Sequence, residues 1–126
     1  MIQEDYCSYE LSKLLKEKGF EILTDKVYDN QNKLDYQNVV CWQEKRLPYI
    51  FAPTHQMAMK WLREKHWVIS IIPKSFYADG RCTSWTYSIW ADDNLEINDE
   101  EEWKNIYGSY EEAVEAALKY SLENLI

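Results

Sequence analysis

The apolar pattern of the chain changes period once, abruptly, at His66. Before it, Met57, Ala58, Trp61 and Leu62 recur at helical spacing, with Gln56, Lys60, Arg63 and Glu64 on the other side. After it, Trp67, Ile69 and Ile71 alternate with Val68, Ser70 and Ile72, the signature of a β-branched strand. A helix must therefore run almost directly into a strand. Thr54, just after Pro53, is the N-cap candidate, and Pro73 ends or bends the strand. Asp79-Gly80 marks a turn, beyond which Trp85, Tyr87 and Ile89 oppose Thr86, Ser88 and Trp90. This reads as a hairpin and is expected at the centre of a sheet.

The flanks supply the rest of the fold. Cys7, Leu11, Leu14, Leu15 and Lys18 share one face of a helix expected over 8–18. Ser8 is its cap candidate, with Asp5 competing for the role; Gly19 is its left-handed terminator, and Phe20 is placed to fold back on the last turn. Residues 20–28 are apolar without a clean period. The run Asp29-Asn30-Gln31-Asn32 is turn chemistry, and Leu34, Tyr36, Val40 and Trp42 alternate after it, so two strands joined by a turn are expected. Residues 44–51, with Pro48, form a connection or a short edge strand. The last helix starts at Ser109 with Glu112 at capping-box spacing. Its inner face is read as Tyr110, Ala113, Val114, Ala117, Leu118, Ser121 and Leu125. The order α-β-β-α-β-β-α lacks the alternation of a parallel sheet. The expected fold is α+β: an antiparallel sheet of about four strands with three helices packed mainly on one face.

A chain of 126 residues suits one domain, 1–126, and no internal repeat or linker divides it. No apolar run approaches the roughly 20 residues of a membrane span, and the polar, acidic start lacks the features of a secretion leader. Cys7, Cys41 and Cys82 are odd in number and widely spaced, which fits free thiols in a reducing cytoplasm. Through His66, ten Lys/Arg balance ten Asp/Glu; from Trp67 onward four basic residues face twelve acidic ones. The whole net charge of −8 thus belongs to the C-terminal half. Such a field repels phosphate backbones and disfavours nucleic acid as a partner.

No residue constellation marks a catalytic site. There is no Cys-x-x-Cys and no His-x-x-x-His, and no metal or cofactor is expected. His55 and His66 would lie about 16 Å apart even on one continuous helix. His55 is read as an exposed first-turn residue and His66 as a helix-exit residue. Asp92, Asn94 and Glu96 alternate as in a calcium loop, but Ile97 and Trp103 occupy the positions that need glycine and glutamate. Three glycines are too few for a phosphate-binding loop. Six Trp and ten Tyr are an unusual aromatic load, most of it suited to a sheet-rich core. Trp90 and Trp103 flank the acidic run, and with Glu100, Glu101 and Glu102 they form the candidate protein-binding patch.

Three blocks carry a resemblance. They are Ser8-Tyr9-Glu10-Leu11 with Leu14 to Phe20, the run Ala52-Pro53-Thr54-His55-Gln56-Met57-Ala58-Met59-Lys60-Trp61 to His66, and Ser109-Tyr110-Glu111-Glu112-Ala113 with the ending Asn124-Leu125-Ile126. Together they cover about a third of the chain. They resemble a family of small uncharacterised phage and prophage proteins. The resemblance implies a phage or prophage origin and the cytoplasm of a bacterial host, and it implies no activity. The leading expectation is a non-catalytic domain that binds a host or phage protein. The alternative is a DNA-mimicking inhibitor whose acidic half occupies a nucleic-acid site on a host protein; a small enzyme ranks last.

Overall fold

The structure is a computed structural model, and it describes residues 4–29, 31–36, 50–91 and 106–126. It is an α+β arrangement. Ser8 opens helix α1 (Tyr9–Glu17), its Oγ accepting the Leu11 N–H at 3.2 Å. The helix closes at Gly19, whose φ of 100° is left-handed backbone that glycine adopts without strain. Phe20 N–H then donates to Leu15 O and Gly19 N–H to Lys16 O, the paired bonds of a Schellman terminus. This turn throws the Phe20 ring into the core, edge-on to Trp61 at 5.6 Å.

Strands β1 (Lys26–Tyr28) and β2 (Leu34–Tyr36) form an antiparallel hairpin. Asp29 Oδ1 holds its turn by accepting the N–H groups of Gln31 and Lys33. Strand β3 (Ile50–Phe51) pairs with the other edge of β1, giving the order β2-β1-β3. The expected continuation of β2 through Val40 and Trp42, and Pro48, lie outside the described residues.

Helix α2 (His55–Glu64) is capped by Thr54, whose Oγ1 accepts the Met57 N–H at 3.2 Å. The backbones ahead of α1 and α2 are tied together. Cys7 N–H donates to Pro53 O and His55 N–H to Asp5 O, both at 2.9 Å, flanking a Tyr6–Thr54 bridge. This corrects the reading of His55: it is buried, at 6% exposure, because the chain before α1 covers the first turn of α2. Met59 rather than Met57 joins Ala58, Trp61 and Leu62 in the buried stripe. The helix exits through His66 at φ 74°, with its N–H on Arg63 O.

Strands β4 (Trp67–Phe76) and β5 (Cys82–Ala91) make the long hairpin, with Ile69 opposite Ile89 and Ser70 opposite Ser88. Pro73 does not end β4; register shifts between Pro73 and Phe76 absorb its missing N–H. Gly80, at φ 91°, turns the chain as the Asp-Gly pair requires. At the outer edge of β5, Trp85 and Tyr107 exchange both backbone hydrogen bonds at 2.8 Å. Helix α3 (Tyr110–Asn124) follows, Ser109 Oγ accepting the Glu112 N–H. Glu112 reaches back one residue beyond the usual box, to the Gly108 N–H. Leu122, not Leu125, completes its buried face.

The single sheet expected from the sequence is replaced, among the described residues, by two antiparallel sheets of three and two strands. The reason lies in the strand pairing: β2 and β3 occupy the two edges of the three-residue β1, while β4 and β5 are paired with each other over nearly their whole length. The core lies between the helices and one face of β4. Leu11, Leu15, Phe20, Trp61, Leu62 and Leu118 are its main side chains, with Trp67, Ile69 and Ile71 packed on it. Among the described residues, no helix is long and apolar enough to cross a membrane.

His66 tests this backbone. Replacing it with glycine relieves a left-handed β-carbon, so His66→Gly is expected to raise the unfolding free energy by about 0.5–1 kcal/mol. Urea unfolding measures this, and a loss of stability would show that the imidazole outweighs the strain.

Candidate functional site

Glu115, in the second turn of α3, joins the three described helices. The Ser8 N–H donates to its Oε1 at 2.8 Å and Ser8 Oγ donates to its Oε2 at 3.2 Å; His55 Nε2 lies 3.2 Å from Oε1. Ser8 is the cap of α1 and His55 the first residue of α2. Two helix N-termini, each carrying a partial positive charge, therefore converge on one carboxylate. Ser8 Oγ uses both its capacities at once, donating to Glu115 while accepting from Leu11.

Serine, histidine and glutamate thus meet, a set the sequence does not reveal. Their order is that of a clamp. In a hydrolytic triad the imidazole stands between hydroxyl and carboxylate, so that it can take the serine proton. Here the carboxylate is in the middle, and the serine proton points at an acid rather than at a histidine. Beneath it lies Cys7, fully buried, with Tyr28 Oη donating to the Cys7 carbonyl at 2.5 Å. Burial first, and the Glu115 charge second, push the Cys7 thiol far above its ordinary range. Burial, then the neighbouring Cys7 and Glu115, push Tyr28 up to about 12. Cys7 is therefore held as a neutral thiol, the form that is not nucleophilic.

The clamp closes one end of a groove. Ser8 meets Glu115 near the starts of α1 and α3, and Lys18 Nζ donates to Ile126 O at 3.1 Å near their ends. The two helices therefore run parallel. Between them lies a half-open groove of about 640 Å³. Tyr9, Leu14 and Ala116, all half-buried, supply its apolar surface. Charged side chains from both helices form its rims.

Of the patch expected from the sequence, only Trp90 lies among the described residues. Trp90 is half-buried on β5 opposite Val68, and Trp103, Glu100, Glu101 and Glu102 lie outside the described residues. Cys41 also lies outside them, while Cys82 Sγ donates to Ser84 O at 3.1 Å. Among the described residues, no group of three His, Cys, Asp or Glu side chains is placed to hold a metal ion. The groove escapes a linear reading because Ser8 and Glu115 are 107 positions apart. Comparison of the chain with protein-family models, with curated proteins and with solved structures finds no match.

Two outcomes follow from this geometry. Glu115→Ala strips three donors of a charged acceptor and is expected to cost about 2–3 kcal/mol in urea unfolding, Glu115→Gln less. An unchanged midpoint would remove the clamp. On the alkaline side the unfolded chain sheds the tyrosine proton near pH 10 while folded Tyr28 keeps it, so the Tyr28 contribution to stability is whole below about pH 10 and is lost toward pH 12. Cys7 adds loss in the same direction from its lower ordinary value. Melting curves of Tyr28→Phe should fall less steeply across that window, and a parallel slope would contradict the assignment.

Proposed function

We propose that the protein is a non-catalytic interaction domain, encoded by a phage or prophage, that binds a host or phage protein in the groove between α1 and α3. One observation carries this reading. The groove is bounded by two parallel helices tied at both ends, so it is an open concavity with fixed walls and an apolar floor. Concave apolar surfaces with a polar rim and preset geometry limit the ordering cost of association. Beside it, Tyr28 Oη is spent on the Cys7 carbonyl and His55 on Glu115, contacts that hold the helices together.

Ala116 gives the test, because it is half-buried on the groove side and a larger side chain there fills the floor. Tagged wild-type protein, Ala116→Trp and Trp90→Ala are passed through bacterial host lysate at low and high salt. A stoichiometric protein kept by wild type and by Trp90→Ala, but lost with Ala116→Trp, is the expected result. Far-UV circular dichroism and an unchanged melt establish that the tryptophan variant folds. Equal retention by wild type and Ala116→Trp would refute the groove as the contact surface. Loss only with Trp90→Ala would place the contact on the acidic-aromatic patch.

A further inference from the structure

The rims of the groove share a charge pattern. On α1, Glu10, Lys13 and Glu17 follow at spacings of three and four; on α3, Glu115, Lys119 and Glu123 follow at spacings of four. These spacings keep each triplet on one face of its helix. Since the helices are parallel, each rim reads acidic, basic, acidic in the same direction. Among the described residues the five charges other than Glu115 make no ion pair, within a helix or across the groove. Their charge is therefore presented to whatever enters.

We infer that the groove receives one amphipathic α-helix of a partner protein, whose apolar stripe is flanked by charges in the order basic, acidic, basic. This rests on the interaction reading and gives its partner a chemistry. The lining runs from Ser8 to Glu17 along α1, about 13 Å by helical rise, which matches two to three turns of an incoming helix. A helix laid between two parallel helices completes a three-stranded packing. Tyr9, Leu14 and Ala116 take the place of seam residues, and the rim charges take the flanking positions that select partners in coiled coils.

The pattern also speaks against a second copy of this chain. Acidic-basic-acidic reads the same in both directions. Two such rims set in register, parallel or antiparallel, place carboxylate against carboxylate and lysine against lysine. A basic-acidic-basic helix meets an unpaired charge at all three positions on α1 and at Lys119 and Glu123 on α3, where Glu115 is already held by the clamp. With three unpaired carboxylates, Glu10, Glu17 and Glu123, against two lysines in the lining, the partner helix carries net positive charge.

Two fluorescent peptides of about 20 residues test this, long enough for partial helicity in water. They share one leucine stripe and differ only in flanks, Lys-Glu-Lys in one and Glu-Lys-Glu in the other. Binding to the full chain is followed by anisotropy and by amide chemical shifts. The Lys-Glu-Lys peptide is expected to bind about tenfold more tightly, with an advantage that shrinks as salt rises. Combining Glu10→Lys, Lys13→Glu and Glu17→Lys should erase or invert that preference, and Ala116→Trp should abolish both complexes. If the triple variant does not fold, Lys119→Glu alone should weaken the favoured peptide severalfold.

Equal affinity of both peptides in the groove would overturn the charge rule and leave the interaction reading intact. Failure of both, while lysate capture remains sensitive to Ala116→Trp, would overturn the helical occupant. Shifts outside α1 and α3 would overturn the site. Sedimentation showing self-association that Ala116→Trp removes would replace the partner helix with a second copy.

Discussion

The arrangement of the helices turns on the carboxylate of Glu115. It draws the cap of α1 and the first side chain of α2 to one point on α3. Its side chain keeps 30% exposure, whereas His55 keeps 7%. That asymmetry is favourable. A carboxylate still partly in water loses little hydration, while two helix N-termini supply positive potential from the protein side. The buried member of the contact is the imidazole, which needs no charge to make its hydrogen bond. Stability is gained without placing an ion pair wholly in the core.

The same contact explains why α1 and α3 are parallel. Leu11, Leu15, Leu118 and Leu122 share one core cluster, whose apolar burial is non-directional. The polar ties at the two ends do set a direction. Ser8 with Glu115 fixes one end, and Lys18 with the Ile126 carbonyl fixes the other. With both in place, reversal or a one-turn slip would break both contacts, so the two rims are held aligned. The order of charges along the groove is thus a consequence of the clamp.

What the sequence made legible follows from the range of each interaction. Ser8, Thr54 and Ser109 act as caps within three residues of themselves, and Gly19 terminates α1 through its own backbone; all four could be read directly. The long hairpin was equally plain, because its alternation and its Asp-Gly turn are local. Burial of His55 was not, since it depends on Asp5 and Glu115, 50 and 60 positions away. The division into two sheets was hidden for the same reason: it depends on long-range strand pairing, and β3, which pairs with β1, is only two residues long. Of the groove, the sequence showed the helix faces but not their pairing. Nothing local distinguishes Glu10, Lys13 and Lys119 from other charged helix residues until the parallel setting of the helices is known.

The acidic character of the chain acquires a different meaning at this surface. Summed over the molecule, the charge of −8 suggests a field that would mimic a nucleic acid. Such mimicry needs rows of one sign, because a polyphosphate presents negative charge without interruption. Along α1 and α3 the sign alternates every turn, about 6 Å, which is shorter than the Debye length in physiological salt. The potentials of neighbouring charges therefore largely cancel before they reach bulk solvent. What survives is a short-range pattern, felt only by side chains already seated in the groove. A surface of that kind offers little steering over distance and discriminates by register on contact.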